Sequence, residues 1–562
     1  MRRFCSSAKQ LTQWFDFSLH IFACEGEDME SFTVMLVPLD DRPCCTQFPQ
    51  RIGDVAGIRL LMPPRRLLGR FTTPGDCDAI AQWMRQNAGA VQGIVVAVDQ
   101  LAYGGLVASR SAERDEQSCL DALNVLEEIK RAHPHLVIYA ASVLMRISIT
   151  YKNAAYLQYG NDIFRYSQLY DQVHRLGQTE LGSELRTVES RIPAELLREY
   201  WRVRRRNHAV NKRMIELAAT GVVDWLSITQ EDTSPVGVHV PEQQELMKTA
   251  YELHAQHKVL LYPGADEGTQ TLLARMIQHA AKTRLRMYPR YATVSGRMAV
   301  APFEDRPIEE TVKAHIYAAG AIAVDHPETA DIWLFVNTPV HGVNTPYDTG
   351  GYFHSRHLYW DVAEGIHDAL SHGRQVALAD AALANASDPE LMQCLLRQGT
   401  YWRLLSYAGW NTAGNTLGTS ISHAIARWHA LHVDFASPER DSERDLCHYA
   451  FMLERLMDEY AYQACVRREV NEWVRRELGL SDTYLDAGYD QVNDRVKRLL
   501  NQQFAALRPF LPKRPPAAIR ANAHHPLPLE FSITNIVLPW NRTFEVRVDA
   551  ECRMVAEDAG AR

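Results

Sequence analysis

The stretch Val34-Met-Leu-Val-Pro-Leu-Asp-Asp-Arg42 is an apolar run that ends in two acids and an arginine. Similar apolar runs recur along the chain, separated by long stretches with helical periodicity. They cover residues 94–98, 136–143, 222–229, 259–262, 332–336, 376–379 and 404–408. The alternation of strands and helices predicts a parallel sheet, and the unbroken apolar character indicates that helices cover both of its faces.

The fold class that we expect is α/β, with a (β/α)8-like barrel because eight such strands can close into one. Two other segments, residues 58–62 and 291–295, are also strand-like. The stretch Phe303-Glu-Asp-Arg-Pro307 echoes Leu39-Asp-Asp-Arg-Pro43. Two doubly wound α/β domains that face each other across a cleft are therefore the alternative.

Four regions are predicted along the chain. Residues 1–28 precede the first strand and are expected to be a non-native or disordered extension. Residues 29–435 form the α/β catalytic region, with a possible division near residue 286. Residues 436–511 are rich in Arg, Glu, Tyr and Leu at helical spacing, which predicts a helical appendage. Residues 512–562 are expected to form a linker and a small β terminus.

Composition excludes several classes of protein. Hydrophobic residues make up 46% and charged residues 23%, which is typical of a globular chain. The net charge of -8 comes with no basic stripe, so we expect no nucleic-acid partner. No apolar run reaches the roughly 18 residues of a membrane span, so no membrane partner is expected. The ten cysteines show no CxxC spacing, and reduced thiols in the cytoplasm are the simpler interpretation. The oligomeric state stays open.

Polar side chains follow nearly every predicted strand, and the carboxyl ends of parallel strands form the site face of such folds. The sharpest signal is Asp266-Glu267, which follows a strand and Gly264. Two adjacent acids in different environments can separate their pKa values, as general acid-base catalysis needs. We therefore predict Glu267 and Asp266 as catalytic residues. The alternative is that Asp266 caps the following helix, with Glu267 in its first turn.

Candidate substrate-binding residues share this position after strands. Aromatic and amide side chains together are also typical of sugar recognition. The candidates are Asp40, Asp41, Arg42, Asp99, Tyr103, Arg146, Glu231, Asp232, Asn337, Asp380, Trp410, Asn411 and Asn415. Core packing of Trp410, helix caps and internal salt bridges remain the structural alternatives for these residues.

No cofactor and no metal site is predicted. Neither GxxxxGK[ST] nor GxGxxG follows a strand, which disfavours nucleotide binding. His354 and His357, with His341 and His367 nearby, lack the glutamate and the helix of a metalloprotease motif. The GxSxG turn of a serine nucleophile is also absent from the sequence.

Long motifs resemble one bacterial family, domain of unknown function 4127. They are Val37-Pro-Leu-Asp-Asp-Arg-Pro43, the segment 99–110, Pro263-Gly-Ala-Asp-Glu267 with Leu272-Leu-Ala-Arg275, and the segment 407–418. The likeness extends from about residue 33 to Pro539-Trp-Asn-Arg-Thr-Phe-Glu545. The family name implies no activity. One departure is Gln230-Glu-Asp232, where the resemblance leads us to expect two aspartates.

The leading hypothesis is a hydrolase on a small polyhydroxylated or acetamido-sugar substrate, specifically a glycosidase that uses a carboxylate acid/base. The Gly-x-Asp-Glu arrangement is similar to one in hexosaminidases that use the substrate's own acetamido group. A metal-dependent hydrolase or lyase is one alternative. A non-catalytic sugar-binding protein is the other.

Overall fold

The strands lie in two separate parallel sheets. The computed structural model describes residues 32–148, 158–338, 356–433, 438–516 and 528–555. The first sheet has the order β2-β1-β3-β4-β5-β6. Its strands are β1 (Thr33–Val37), β2 (Arg59–Leu61), β3 (Gly93–Ala97), β4 (Val137–Leu144), β5 (Trp225–Gln230) and β6 (Val259–Pro263).

The second sheet repeats the strand order of the first. It runs β11-β10-β9-β7-β8. Its strands are β7 (Arg286–Tyr291), β8 (Ile322–Ala323), β9 (Ile332–Asn337), β10 (Val376–Asp380) and β11 (Ser406–Ala408). If each sheet is counted from its own first strand, both read 2-1-3-4-5, and the first adds a sixth strand. In open α/β sheets with this strand order, ligands generally bind beyond the carboxyl ends of the strands, at the point where the direction of winding reverses.

The expected barrel is not confirmed. A barrel needs one sheet whose edge strands pair, whereas β2 and β6 end the first sheet and β8 and β11 end the second within the described residues. All eight apolar runs contain a strand, and residues 58–62 contain β2. The sequence therefore located most of the strands, although the predicted segment 291–295 shares only Tyr291 with β7 and β8 was not predicted. The pairing of the strands depends on contacts between distant segments. The alternative prediction, two doubly wound α/β domains, gave the correct number of parallel sheets.

Helices connect the strands in both halves. In the first they are α1 (Gln47–Ala56), α2 (Cys77–Asn87), α3 (Val98–Tyr103), α4 (Glu116–Ala122), α5 (Asn124–Ala132), α6 (Gly160–His174), α7 (Gly182–Arg191), α8 (Ala194–Ala219), α9 (His239–Glu252) and α10 (Gly268–Ala280). In the second they are α11 (Ile308–Ala318), α12 (Arg356–Ser371), α13 (Pro389–Gln398) and α14 (Ala413–His432). No helix in the described ranges combines the length and the apolar character that crossing a bilayer requires.

The C-terminal quarter is helical and then turns into a hairpin. It comprises α15 (Pro438–Arg455), a π-helix (Leu456–Val466), α16 (Arg467–Glu477) and α17 (Tyr489–Leu507). The antiparallel strands β12 (Leu529–Val537) and β13 (Arg547–Met554) follow. The helical periodicity and the β terminus read from the sequence thus correspond to elements of the structure.

The two sheets share one hydrophobic core. Val34 and Leu36 of β1 point into it, while Met35 points into a separate core on the outer face of the first sheet. Leu334 of β9 enters the shared core from the second sheet, and Phe335 enters the outer core on the other side. Because successive strand residues point to opposite faces, each sheet is covered on both sides.

Two glycines let α14 approach the start of α10 closely. Gly414 and Gly418 are four residues apart and so lie on the same face of α14. A Cβ on Gly418 would lie 2.6 Å from Cβ of Glu267, and one on Gly414 would lie 3.1 Å from the carbonyl oxygen of Pro263. The contact joins the two halves beside the carboxyl ends of their strands.

We expect Gly418→Ala to destabilise the protein, because the new methyl group would force α14 away from Glu267. Overpacking of this kind costs roughly 1–3 kcal/mol. Urea unfolding of both variants measures the loss, with Gly160→Ala as the control. Gly160 also lies in a helix, but no described atom lies within 4 Å of its Cβ position. An equal urea midpoint for Gly418→Ala and Gly160→Ala would contradict the close contact between Gly418 and Glu267.

Candidate active site

A cavity of about 250 Å³ lies at the carboxyl ends of the strands of both sheets. Eight charged side chains line it: Arg42, Arg110, Arg146, Glu231, Asp232, Asp266, Glu304 and Arg542. Its other walls are Leu106, Val107, Gln230, Gly264, Ala265, Phe303, Asn385, Asn411, Thr412, Asn415, Trp540 and Phe544. Most of these residues follow strands, because parallel strands bring their terminal loops to one edge of a sheet.

Arg42 is the centre of the buried ion network beside the cavity. It lies in the loop after β1, and its guanidinium donates to both carboxylate oxygens of Asp40. It also donates to both oxygens of Asp266, at 2.6 Å and 3.0 Å. The Asn411 amide donates to the same Asp266 carboxylate at 3.3 Å. Planar bidentate pairing of this kind fixes orientation as well as charge.

The loop between β12 and β13 forms one wall. The Trp540 ring contacts two guanidinium groups, that of Arg42 at 4.8 Å and that of Arg542 at 4.7 Å from its centroid. Its indole N–H donates to Asp41 at 2.6 Å, and Arg65 also pairs with Asp41. The C-terminal hairpin is therefore held to the loop after β1 by a buried hydrogen bond and a cation-π contact.

Two further arginines hold the acids that follow β5. Arg110 donates to Glu231 in a buried ion pair. Arg146 pairs with Asp232 at 3.0 Å and lies 3.8 Å from Glu231. Burial, and after it the neighbouring Arg146, lowers the pKa of Arg110 to about 10. Cations and carboxylates thus alternate along this wall.

Glu304 differs from the other acids of the cavity because it has no described cation as a hydrogen-bond partner. Its side chain is 6% exposed, and one oxygen accepts from the backbone N–H of Gly414 at 3.1 Å. The other oxygen, Oε2, makes no hydrogen bond within the described residues. Burial raises the pKa of Glu304 to about 8. The carboxyl group is therefore mostly protonated at neutral pH and can donate a proton.

Asp266 and Glu267 have different surroundings. Asp266 lines the cavity, and burial raises its pKa to about 6 although Arg42 opposes the shift. Glu267 is fully buried and is not part of the cavity wall. Its carboxylate lies 3.2 Å from Nε2 of His315 and accepts from the backbone N–H of Ala265. The catalytic role of Glu267 stays a prediction, but the cavity presents Glu304 instead.

Backbone strain concentrates around the cavity. Eight described non-glycine residues have a clearly positive φ, and four of them line the cavity: Asp232, Phe303, Asn385 and Asn411. Their φ angles lie between 42° and 69°. Each such residue costs of order 1–3 kcal/mol, and such strain is typical of functional sites. The largest departure from normal preference is Phe303, since a bulky side chain rarely adopts this conformation.

Of the predicted site residues, those that line the cavity are Arg42, Arg146, Glu231, Asp232, Asp266, Asn411 and Asn415. Asp40 and Asp41 support the wall through Arg42 and Trp540. Trp410 is buried and packs against Phe544 rather than facing the cavity.

The remaining predicted residues belong to buried networks away from the cavity wall. Asp99 accepts from the backbone N–H of Val143, and burial raises its pKa to about 7. Tyr103 packs under the guanidinium of Arg206. Asn337 donates to Asp380, whose pKa burial also raises to about 7.

Sequence reasoning did not select several residues of the wall: Arg110, Glu304, Phe303, Trp540, Arg542 and Phe544. Signals for some of them were present. Arg110 ends the motif 99–110, Glu304 lies in the echo of the first loop, and Trp540 lies in the last family motif, 539–545. Only folding shows that these segments meet at one cavity.

One group of side chains in the described residues has the spacing of a metal site. Ligand atoms of Cys44, Cys45 and Asp266 lie within 4.8 Å of one another. Burial raises the pKa of both thiols and keeps them protonated, so this group is poorly prepared for a metal ion. His341 and His354 lie outside the described residues, and His367 is exposed.

The family profile described as Protein of unknown function (DUF4127) matches residues 34–549. The chain belongs to this family. The match spans both sheets of this DUF4127 protein, the helical appendage and most of the terminal hairpin, including Trp540. No curated protein matches the sequence. The chemistry of the DUF4127 cavity must therefore be inferred from its residues.

Replacing Arg42 should strongly destabilise this DUF4127 protein. Arg42→Met leaves Asp40 and Asp266 buried without their shared cation, and breaking a buried ion pair costs roughly 3–5 kcal/mol. Arg85→Met is the matched control, because Arg85 pairs with Glu128 on the surface, where a pair contributes about 0–1 kcal/mol. Thermal and urea unfolding compare the two. Similar losses would show that the Arg42 network is not structural.

Asp99 and Asp380 should lower the stability of the DUF4127 protein as the pH rises from about 4 to about 7. Burial raises the pKa of Asp99 and of Asp380 to about 7, whereas an unfolded aspartate titrates near about 3.9. Between these values the folded state holds more protons than the unfolded state. The contribution of these two carboxyl groups to the free energy of unfolding is thus complete below about pH 4 and is lost as the pH rises through about 7.

Urea midpoints across this pH range measure the effect. Asp380→Asn should flatten the slope, by up to about 1.4 kcal/mol per pH unit for one proton. Asp121→Asn on the surface helix α4 is the control and should leave the slope unchanged. Buried histidines such as His423 and His429, whose pKa values burial lowers, contribute the opposite slope, so the test is the difference between Asp380→Asn and the unmodified protein. An equal slope in the two proteins would contradict the protonated state of Asp380.

Proposed function

We propose that the protein is a hydrolase that cleaves a glycosidic bond in a small polyhydroxylated or acetamido sugar. Glu304 is the proton donor and Asp266 is the partner carboxylate. The observation that carries the proposal is the difference between these two acids in one cavity. Burial raises the pKa of Glu304 to about 8 and that of Asp266 to about 6, so one is protonated and the other ionised near pH 7. Glycosidases use such a pair.

Hydrogen-bonding capacity in the wall supports a ligand with many hydroxyl groups. Four lining side chains each leave one buried polar atom without a hydrogen bond to another described residue: Gln230 Nε2, Glu231 Oε2, Glu304 Oε2 and Asn415 Oδ1. These atoms are a mixture of donors and acceptors. A hydroxyl group can satisfy either kind, and an unsatisfied buried polar atom is costly unless a ligand or water meets it.

Charge balance supports an uncharged substrate. Four arginines and four acids line the cavity, and most of these charges are already paired with one another. When Glu304 is protonated, the four arginines and the three remaining acids give the wall only a small positive net charge. A strongly charged ligand would have to compete with existing pairs, whereas hydroxyl groups can bridge them without breaking them.

The reaction follows from these roles. Glu304 gives its proton to the glycosidic oxygen as the bond from this oxygen to the anomeric carbon breaks. The Asp266 carboxylate stabilises the positive charge that develops on the sugar ring. Water then adds its oxygen to the anomeric carbon, and its proton restores Glu304. Arg42 and Asn411 orient Asp266 for this step.

Activity should depend on pH as a bell-shaped curve. Asp266 must be ionised, so kcat/KM rises through about pH 6; Glu304 must be protonated, so kcat/KM falls above about pH 8. Glu304→Gln should lower turnover about 10²–10⁴-fold and remove the basic limb. Asp305→Asn, at the next residue, is the control. The assay is a panel of chromogenic glycosides that includes N-acetylhexosaminides.

Glu267→Gln belongs in the same experiment. Loss of turnover in Glu267→Gln with full turnover in Glu304→Gln would reverse the assignment of the proton donor to the one predicted from sequence. A panel in which ligands bind but no glycoside is cleaved would favour a sugar-binding protein. Loss of activity with a chelator would favour the metal-dependent alternative.

A further inference from the structure

The cavity is too small for a whole disaccharide-sized substrate. Its volume of about 250 Å³ lies below the roughly 300–1,000 Å³ of pockets that enclose drug-sized ligands. It therefore holds one ring-sized moiety. The rest of any substrate must lie at the mouth, and the side chains there select it.

Phe303 lies at this mouth. Its side chain both lines the cavity and is 52% exposed, so the ring borders the cavity and the solvent. It is also adjacent in sequence to Glu304. The proton donor of a glycosidase acts on the leaving-group oxygen, so the leaving group must lie next to Glu304. The ring of Phe303 is therefore placed where a leaving group would pass out of the cavity.

The backbone is held in a strained conformation to keep the ring there. Phe303 has a φ of 67°. Its carbonyl accepts from both the backbone N–H and the hydroxyl group of Thr233, at 2.8 Å and 3.1 Å. These bonds tie the loop of the second half to the loop after β5. The same loop also exposes Met298 and Val300.

We propose that Phe303 forms a subsite for an apolar leaving group, so that the preferred substrates are glycosides of aryl or alkyl alcohols. This inference rests on the proposed glycosidase activity. Moving an apolar group from water onto the exposed face of the ring is favourable in free energy, and an aromatic group can also stack on the ring.

Benzyl and methyl glycosides of the same sugars test the subsite, because their leaving alcohols are both poor and differ mainly in apolar surface. The unmodified protein should prefer the benzyl compound by roughly tenfold in kcat/KM. Phe303→Asn should bring the ratio close to one, and asparagine tolerates the positive φ. Tyr251→Asn is the control, because Tyr251 is an exposed aromatic residue on α9 that does not line the cavity. It should leave the ratio unchanged.

Binding of benzyl alcohol, followed by NMR, separates the two proposals because it needs no turnover. The unmodified protein and Tyr251→Asn should bind it, and Phe303→Asn should bind it several-fold more weakly. Cleavage of glycosides with a ratio that Phe303→Asn does not change overturns the subsite and leaves the proposed function standing. Benzyl alcohol binding that depends on Phe303, without cleavage of any glycoside, supports the subsite and contradicts the glycosidase. Binding that does not depend on Phe303 overturns the subsite in either case.

Discussion

The buried guanidinium of Arg42 holds the candidate site together. It pairs with Asp40 in its own loop and with Asp266, which lies 224 residues away at the start of α10. Trp540, from the C-terminal hairpin, covers its face. Three distant parts of the chain thus meet at one cation. Since a buried charge is tolerated only with partners, each of these segments depends on the others being in place.

The fold brings this network to the cavity by repeating one arrangement. Both sheets have the strand order 2-1-3-4-5, and each sends the loop after its first strand into the cavity, with Arg42 on one side and Glu304 on the other. The glycines of α14 let it lie against the start of α10, so the two sets of strand ends stay close. The short echo between the two loops therefore falls at corresponding positions of the two halves.

Several acids around the site are kept in an unfavourable environment. Burial raises the pKa values of Glu304 and Asp266, and four residues of the wall have strained backbones. Neither feature stabilises the fold. Burial and strain of this kind persist when the surrounding structure enforces them, and both are typical of sites that move protons. Their coincidence in one cavity favours catalysis over simple packing.

The sequence alone determined that the chain is α/β, where its main strands lie, and that polar residues follow them. It also determined the family, through motifs such as 99–110 and 407–418. These are local properties, because apolar runs and helical periodicity act within one segment. The tertiary structure decided that the strands form two sheets rather than one barrel. It also decided that Glu267 is buried while Glu304 faces the cavity. Strand pairing and the position of a side chain relative to the cavity depend on segments far apart in the chain, and no local pattern encodes which of these two glutamates lines the cavity.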